Sequence, residues 1–276
     1  MLEIPESKTI SQQAANILTG KKIAEVINAT SPHKFAWYNG DPAAYSSLLV
    51  GRQIVDTRGH GSYVDLLCDE DICISAGEGT IMRYYPAFEK HPAKHQLLIV
   101  FEDGSFLAFT VAMYGAIIAY KHKYDNCYYQ VSLDKAGVSP LEDTFDQAYF
   151  ESIFKSVTKD ITIKALLATE QRMPGLGNGV LQDILFNAGI HPKRKISKIS
   201  ELEKSDLFHS LKVTLKSMTD KGGRDTEKDF YGNYGGYKTL LSKNTYKQPC
   251  PNCGGSIVKE AYMGGTVYYC PTCQKN

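Results

Sequence analysis

Residues 164–192 decide the fold: Lys164-Ala-Leu-Leu-Ala-Thr-Glu-Gln-Arg-Met-Pro-Gly-Leu-Gly-Asn178, continued by Gly179-Val-Leu-Gln-Asp-Ile-Leu-Phe-Asn-Ala-Gly-Ile-His-Pro192. Two helix-like stretches meet at Pro174–Asn178. The two glycines of this junction permit close approach of the backbone to a ligand. A helix beginning at Asn178 presents free N–H groups and the positive end of its dipole. These properties indicate a phosphate site, although Gly-x-Gly-Asn taken alone is more often an ordinary helix cap.

The pattern differs on the two sides of this segment. Residues 21–131 consist mostly of short apolar runs separated by turn signals, which predict strands packed with one helix, Ile10–Leu18. The predicted strands are Lys21–Asn28, Gly51–Thr57, Ser62–Leu67, Ile72–Ser75, Leu97–Glu102 and Phe106–Thr110, and the run Gly115–Tyr120 also suits a buried strand. After Gly137 the pattern predicts helices. These are Asp146–Ser156, Ile163–Ala168, Val180–Ala188, Ile199–Glu203 and Leu207–Met218.

The C-terminal residues contain two Cys-x-x-Cys pairs separated by 16 residues. The pairs are formed by Cys250, Cys253, Cys270 and Cys273. Two such pairs supply four thiolates to one closed tetrahedral site, so we predict one structural Zn²⁺ ion; redox pairs or disulfides are the alternatives. A unit of about 30 residues cannot bury a sufficient core alone, and the metal would supply the missing folding energy.

Composition limits the class of protein. The chain has 276 residues, 43% of them hydrophobic and 22% charged, as in ordinary globular proteins. No apolar run approaches the ~20 residues of a membrane helix, and the N-terminal residues lack the features of a secretion signal. Seven cysteines without such a signal favour reduced thiols and metal ligation. We therefore expect a monomeric, cytoplasmic (intracellular) protein with no membrane partner.

Charge is distributed unevenly along the chain. Its formal net charge is +1, but residues 1–130 carry 11 basic and 14 acidic side chains, whereas residues 131–276 carry 20 and 16. We expect contacts with a polyanion mainly in the second half, although this imbalance also falls within normal scatter. The basic cluster Lys193-Arg194-Lys195 lies there and is either part of such a surface or an ordinary solvated face.

These features together resemble the formamidopyrimidine-DNA glycosylase and endonuclease VIII family. The family begins Met-Pro-Glu-Leu-Pro-Glu, and this chain begins Met1-Leu-Glu-Ile-Pro-Glu6. The family linker Pro-Leu-x-x-x-Phe-Asp is matched at Pro140–Asp146. Its helix-two-turn-helix motif, Gly-x-Gly-Asn followed by Leu-Phe-x-Ala-Gly-Ile-His-Pro, is matched at Gly175–Asn178 and Leu185–Pro192. The likeness covers nearly the whole chain, in order, and includes the four cysteines.

The resemblance implies an α+β multidomain fold. Residues 1–130 would form a catalytic-like β-sandwich with a helix, residues 131–243 a helical helix-two-turn-helix domain, and residues 244–276 a zinc finger. The implied partner is double-stranded DNA containing a damaged base or an abasic site. The implied catalytic residues are Glu3, Met1 and Glu6. The implied DNA-binding residues are Lys164, Gly177, Asn178, Lys193, Arg194 and Tyr114, the last as a wedge between bases.

Several departures from the family pattern concern its chemistry. The family's proline nucleophile is replaced by Leu2, and a bulky second residue normally protects Met1 from removal. Gly61-Ser-Tyr63 stands where the family has Gly-Lys-Tyr. Ser75–Thr80 replaces the family's Met-containing loop, Val111–Gly115 shortens its Asp-Pro-Arg-Arg-Phe-Gly loop, and Gly265 or a neighbour takes the place of its zinc-finger arginine. The DNA-binding scaffold is kept, while the nucleophile and several residues that would contact the bases are changed.

Two functions follow from this combination. The first is a DNA glycosylase of base excision repair that releases a damaged base by water activated at Glu3, with weak or absent AP-lyase activity; the Met1 amine is the alternative nucleophile. The second is a non-catalytic protein that binds damaged or abasic DNA. Glu3 and Glu6 could instead cap the following helix. A third option is an RNA-directed or structural zinc protein.

The segment Lys221–Lys238 is rich in glycine, tyrosine and charge, and we predict a mobile loop that covers the extruded base. Its tyrosines offer stacking faces for a nucleobase. The alternative is a disordered linker between the helical domain and the zinc finger.

Overall fold

The computed structural model describes all 276 residues, Met1–Asn276. The first helix, α1 (Ile4–Leu18), starts with Pro5 in its first turn, where the fixed φ angle suits a helix and the missing N–H needs no acceptor. Its apolar residues lie four positions apart and are buried: Ile10, Ala14 and Leu18. The predicted helix Ile10–Leu18 is confirmed, but it begins six residues earlier.

Nine strands occupy residues 23–121. They are β1 (Ile23–Asn28), β2 (Ala36–Trp37), β3 (Ile54–His60), β4 (Tyr63–Cys68), β5 (Ile72–Gly77), β6 (Thr80–Tyr85), β7 (Leu97–Phe101), β8 (Phe106–Val111) and β9 (Gly115–Lys121). A sheet in the order β1-β7-β8-β6 packs against one in the order β2-β9-β5-β4-β3, and apolar side chains from both fill the space between them. The predicted β-sandwich with a packed helix is confirmed. The sequence analysis does not predict β2 and β6, because β2 is only two residues long and Arg83 interrupts the apolar pattern of β6.

A short helix, α2 (Tyr45–Leu49), precedes β3, and α3 (Cys127–Asp134) covers the outer face of the second sheet. The sequence analysis predicts neither, because both are short and have no clear apolar periodicity. A buried polar network joins α3 to the sheet: Tyr129 donates to Asp65 at 2.7 Å, and His60 contacts Asp65 and Ser132 at 3.1 and 3.0 Å. The network fixes the turn between β3 and β4.

That turn positions the helical half of the chain. Gly61, at the turn, has a φ of +52°, and a Cβ there would collide with Ser132. Gly175 has a φ of +77°, and a Cβ there would collide with the backbone of Gly61. Glycine is thus required on both sides of the contact because the two backbones touch.

Helices α4 (Gln147–Lys155), α5 (Ile163–Ala168), α6 (Asn178–Asn187) and α7 (Glu201–Asp220) share a second core, to which Ile4 also contributes. The sequence analysis predicts two helices in the region that α7 occupies. They are one continuous helix, because Ser200 and Glu203 form a capping box and no helix breaker lies between Glu203 and Leu207.

The chain ends in a hairpin of β10 (Val258–Tyr262) and β11 (Gly265–Tyr269). Met263 and Gly264 at its tip have φ of +50° and +73°, as two-residue hairpin turns require. The hairpin packs on α6, where Gln182 accepts from the Tyr268 N–H at 3.0 Å. None of the helices has the combination of length and hydrophobicity that a membrane crossing needs.

Candidate functional site

Three charged side chains meet where α1, α6 and the segment after α7 come together. Arg224 donates from Nε and Nη2 to the two carboxylate oxygens of Glu6 at 2.9 and 2.7 Å, and its Nη1 lies 3.2 Å from Glu3. All three residues are buried. Burial lowers the pKa of Arg224, but the two adjacent carboxylates raise it by more, so the guanidinium stays charged. With both carboxylates ionised, the cluster carries one net negative charge.

The Glu3 side chain is held at the start of α6. Its two oxygens accept from the N–H groups of Gly179 and Val180 at 2.9 and 2.7 Å, and Glu3 is only 4% exposed. A Cβ at Gly179 would collide with Arg224, so glycine is required for this contact. Burial raises the pKa of Glu3, and Arg224 and the two N–H groups oppose that rise. Glu3 therefore caps α6, rather than the helix that follows it in sequence.

The start of α6 is consequently only partly free for a phosphate. The N–H groups of Gly179 and Val180 are taken by Glu3, whereas those of Gly177 and Asn178 have no acceptor within the chain. The Asn178 side-chain amide donates to the Thr266 carbonyl, and its Oδ1 is buried without a partner. The predicted set of free N–H groups is thus reduced to those of Gly177 and Asn178, and the Asn178 side chain contacts the C-terminal hairpin.

The predicted cations near this surface are engaged within the chain. Lys164 donates to the Tyr262 carbonyl at 2.6 Å, and burial lowers its pKa. Lys193 forms an ion pair with Glu260, which raises the Lys193 pKa. Arg194 donates to both carboxylate oxygens of Glu203, at 2.6 and 3.1 Å. Lys164 and Lys193 thus join the helical domain to the hairpin, whereas Arg194 pairs within the helical domain. The sequence pattern alone does not reveal these partners.

A solvent-open cavity of about 420 Å³ lies beside the N-terminus. Met1 lines it and is 52% exposed, and its terminal amine forms an ion pair with Glu227. Glu6 and Tyr114 also line the cavity, whereas Glu3 does not. The Leu2 nitrogen is an amide that donates to the Glu78 carbonyl at 3.0 Å. The structure thus brings Met1, Glu6 and Tyr114 together and leaves Glu3 behind the cavity wall.

The segment Lys221–Lys238 forms one side of this cavity through Thr226, Glu227, Lys228 and Tyr234. It is not the detached loop that its composition suggests, because Arg224 and Phe230 are buried in the rest of the molecule. The sequence analysis misses Arg224 and Glu227 as site residues. The sequence feature that could have identified Arg224 is that it stands as a lone arginine in a glycine-rich segment, in a chain with two acidic residues near its N-terminus.

The four cysteines of the C-terminal unit lie together. Their sulfur atoms are all within 4.8 Å of one another, with Cys250–Cys273 at 3.7 Å and Cys253–Cys270 at 3.5 Å. Disulfide sulfurs are ~2.0 Å apart, whereas four thiolates arranged tetrahedrally ~2.3 Å from one ion are ~3.8 Å apart. The geometry could hold a metal ion, and none of the four cysteines forms a disulfide.

Comparison with known proteins agrees with this architecture. Residues 136–229 match the family model for the formamidopyrimidine-DNA glycosylase H2TH domain. Proteins named formamidopyrimidine-DNA glycosylase from Brevibacillus brevis and Shouchella clausii are 28% and 29% identical, over 100% and 99% of both chains. The chain is similar to formamidopyrimidine-DNA glycosylases over its whole length and shares their H2TH domain.

Solved structures of formamidopyrimidine-DNA glycosylases share the fold. The Thermus thermophilus MutM (Fpg) protein has a TM-score of 0.80 at 22% identity, and the match covers 99% of this chain and 98% of that one. Lactococcus lactis Fpg in complex with DNA containing an abasic site has a TM-score of 0.82 at 22% identity, covering 99% and 100%.

Proposed function

We propose that this protein is a DNA glycosylase of base excision repair that removes a damaged base from duplex DNA, with weak or absent AP-lyase activity. Similarity over the whole chain to proteins named formamidopyrimidine-DNA glycosylase supports the glycosylase assignment. The observation that supports a particular site for this activity is the cavity beside Met1. An enzyme that acts on a base must rotate the nucleotide out of the duplex into a pocket. The cavity volume of about 420 Å³ falls in the usual ~300–1,000 Å³ range for small-molecule sites.

The buried charge cluster suits the chemistry of glycosidic bond cleavage. As the bond to the base breaks, positive charge develops on the sugar. The net negative charge of Glu3, Glu6 and Arg224 lies under one wall of the cavity and is shielded from water, where it acts more strongly than an exposed charge. Both Glu3 oxygens already accept hydrogen bonds, which favours electrostatic stabilisation of the sugar over direct proton abstraction from water.

The N-terminus explains why strand cleavage would be weak. Strand cleavage of the family type follows from a Schiff base between a terminal amine and C1′. The Leu2 nitrogen is an amide and cannot attack, and the Met1 amine forms an ion pair with Glu227. The amine would have to leave this carboxylate before it could attack C1′. In this arrangement water is the favoured nucleophile, and its attack at C1′ leaves an intact abasic site.

A non-catalytic protein that binds damaged DNA is the second candidate, and the direct hydrogen bonding of both Glu3 oxygens within the protein favours it. Base release from oxidised, alkylated and deaminated duplexes, measured beside binding to the same duplexes, separates the two functions. Release of any base in excess of background supports the glycosylase. Selective binding to the damaged duplexes, with no base released from any of them, supports the non-catalytic binding protein.

Zinc is the metal that we propose for the cysteine cluster. Cys250, Cys253, Cys270 and Cys273 would hold it, and four thiolates leave no open position for catalysis, so the ion would stabilise the hairpin fold. The hairpin carries Thr266, which accepts from Asn178, so the metal would also support the DNA-binding surface.

Cys253→Ser should therefore release the metal and weaken DNA binding, while the β-sandwich stays folded. Metal content of the purified protein and fluorescence of the single tryptophan, Trp37 in β2, give the two readouts. Cys127→Ser is the matched control, because Cys127 is exposed and lies outside the cluster. Full metal retention in Cys253→Ser would contradict the assignment.

DNA phosphates should bind where Gly177 and Asn178 face the hairpin. Affinity should fall as salt rises, because bound phosphates release counterions. Asn178→Ala should weaken binding by about tenfold, because it removes the side-chain hydrogen bond to the Thr266 carbonyl that holds the hairpin beside these N–H groups. Asn187→Ala, at the other end of α6, should bind normally. Salt-independent binding, or equal affinity of the two variants in fluorescence anisotropy, would rule out this phosphate site.

The segment Lys221–Lys238 should influence which lesion is removed. Tyr234 lines the cavity and is 64% exposed, so its ring is available to stack on a base. Tyr234→Ala should lower kcat/KM about tenfold and change the ranking of lesions, since stacking contributes ~1–3 kcal/mol per base. Tyr231 lies in the same segment but packs on Tyr84 and Phe230, so Tyr231→Ala is the control. An unchanged lesion ranking in Tyr234→Ala would limit the segment to a scaffolding role.

A further inference from the structure

One row of residues crosses four strands of the second sheet and is large at both ends and small in the middle. The paired residues are Trp37 on β2, Ala116 on β9, Gly77 on β5 and Tyr63 on β4. Residues that pair directly across neighbouring strands lie on the same face of a sheet. Neighbouring strands are ~4.8 Å apart, so ~14 Å separates the backbones of Trp37 and Tyr63. The row therefore leaves a slot between two aromatic side chains.

This slot is part of a second cavity, of about 340 Å³, whose walls are mainly aromatic. The Tyr63 ring lies over Gly77, where a Cβ would collide with it, so glycine is required beneath the ring. Tyr124, in the loop before α3, and Tyr128, on α3, also line the cavity. Trp37 is 68% exposed and Tyr128 is 58% exposed, so large parts of both rings are accessible to a ligand.

Glu78 is the only charged residue that lines this cavity, and its carboxylate has no hydrogen bond or ion pair within the chain. Its backbone is fixed, because its N–H donates to the Ser62 carbonyl at 2.8 Å and its carbonyl accepts from the Leu2 N–H at 3.0 Å. Its φ of +49° is strained for glutamate, and such strained residues cluster at ligand sites. Burial raises the pKa of the carboxyl. A cationic ligand would supply the partner that the ionised carboxylate lacks.

The aromatic walls restrict the kind of cation. The face of an aromatic ring is negative and attracts a cation, and rings grouped in this way bind quaternary ammonium groups. A primary ammonium or a guanidinium needs several hydrogen-bond acceptors for its N–H groups. The cavity offers mainly ring faces, and the Asn126 side-chain oxygen already accepts from the Tyr129 N–H at 3.1 Å. A trimethylammonium group has no N–H donors and fits this lining better.

We propose that the second cavity binds a trimethylammonium group, with Trp37, Tyr63 and Tyr128 contributing ring faces and Glu78 the opposite charge. This site is separate from the proposed excision of a base, since none of these four residues lines the cavity beside Met1. A free solute such as choline and a trimethylated lysine side chain carry the same group, and titration with each of them distinguishes the two sources.

Trp37 is the single tryptophan of the chain, so the fluorescence of the wild-type protein reports on this cavity. The probes are choline, the N-acetyl methylamide of trimethyllysine, and 3,3-dimethyl-1-butanol, which has carbon in place of the choline nitrogen and no charge. Calorimetry follows the same titrations independently of the tryptophan.

At least one of the two cations should bind saturably, change the Trp37 emission, and bind at least about tenfold more tightly than the neutral alcohol, because cation–π attraction acts only on the charged group. Tighter binding of choline supports a free solute as the ligand, and tighter binding of the trimethyllysine derivative supports a protein side chain. Equal affinity for the neutral alcohol, or no saturable binding of either cation by calorimetry, would overturn the proposal.

Substitutions at the walls give a second readout. Glu78→Gln should lower the affinity for the cation by about tenfold and leave that for the neutral alcohol unchanged, because it removes only the charge. Tyr128→Ala should also weaken cation binding, whereas Tyr128→Phe should retain it, since the ring face and not the hydroxyl makes the contact. Glu89→Gln, at an exposed carboxylate outside the cavity, should bind as the wild type does. Wild-type affinity in Glu78→Gln or in Tyr128→Ala would contradict this site.

Discussion

Glu3→Gln should lower the single-turnover rate of base release by about 10²–10³-fold while binding to damaged duplex survives. The change removes one negative charge from the buried cluster, and with it the field that stabilises the developing positive charge on the sugar. It also replaces one of the two carboxylate oxygens that accept from the N–H groups of Gly179 and Val180 with an amide NH₂ group, which cannot accept a hydrogen bond. Release of the base under single-turnover conditions is the measurement.

The pH profile distinguishes this electrostatic role from a purely structural one. Because burial raises the pKa of Glu3, the ionised form is lost at a higher pH than the ~4.3 of an ordinary glutamate. Base release by the wild type should therefore decline on the acid side above that value, with binding and far-UV circular dichroism unchanged over the same range. Glu3→Gln should lack this acid limb in its residual activity.

Two further variants make the result interpretable. Glu3→Asp keeps the charge and should recover part of the rate if the Gln variant is folded. Glu25→Gln neutralises an exposed carboxylate in the same domain and should behave as the wild type. Full activity of Glu3→Gln would remove Glu3 from the mechanism. Efficient borohydride trapping of the wild type at a damaged base would replace the water route with attack by the Met1 amine.

Arg224→Met should destabilise the protein by about 3–5 kcal/mol, the usual cost of removing one partner from a buried ion pair. Arg224 is 2% exposed and is the shared partner of Glu3 and Glu6, so its loss leaves two carboxylates close together without a cation. Urea unfolding followed by circular dichroism measures the change. Helices α1 and α6 should separate first, because the cluster joins them.

An arginine in a partly exposed ion pair gives the matched control. Arg52→Met removes an ion pair with Glu70, whose side chain is 53% exposed, and should cost at most about 1 kcal/mol. Glu6→Gln combined with Arg224→Met removes one of the two stranded carboxylates and should restore part of the stability. If Arg224→Met is no less stable than Arg52→Met, the buried cluster makes no net contribution to the free energy of unfolding.

Much of the architecture follows from local sequence. The helix α5 is predicted with its bounds, and seven of the nine strands of the sandwich are predicted to within a few residues, because alternating apolar residues and turn signals act over short distances. The cysteine spacing alone predicts the cluster that the fold then forms.

The chemical environment of the candidate site could not be predicted in the same way. The sequence by itself determined the family-type scaffold, the four thiolates that can share one ion, and the replacement of the N-terminal proline by Leu2. Only the tertiary structure decided that Arg224 pairs with Glu3 and Glu6, more than 200 positions away, that Glu227 holds the Met1 amine, and that Lys193 and Arg194 are ion-paired. The physical reason is range. Helix and turn signals depend on neighbouring residues, whereas the charge, burial and hydrogen bonding of a buried carboxylate depend on whichever distant side chains the packing of the cores brings beside it.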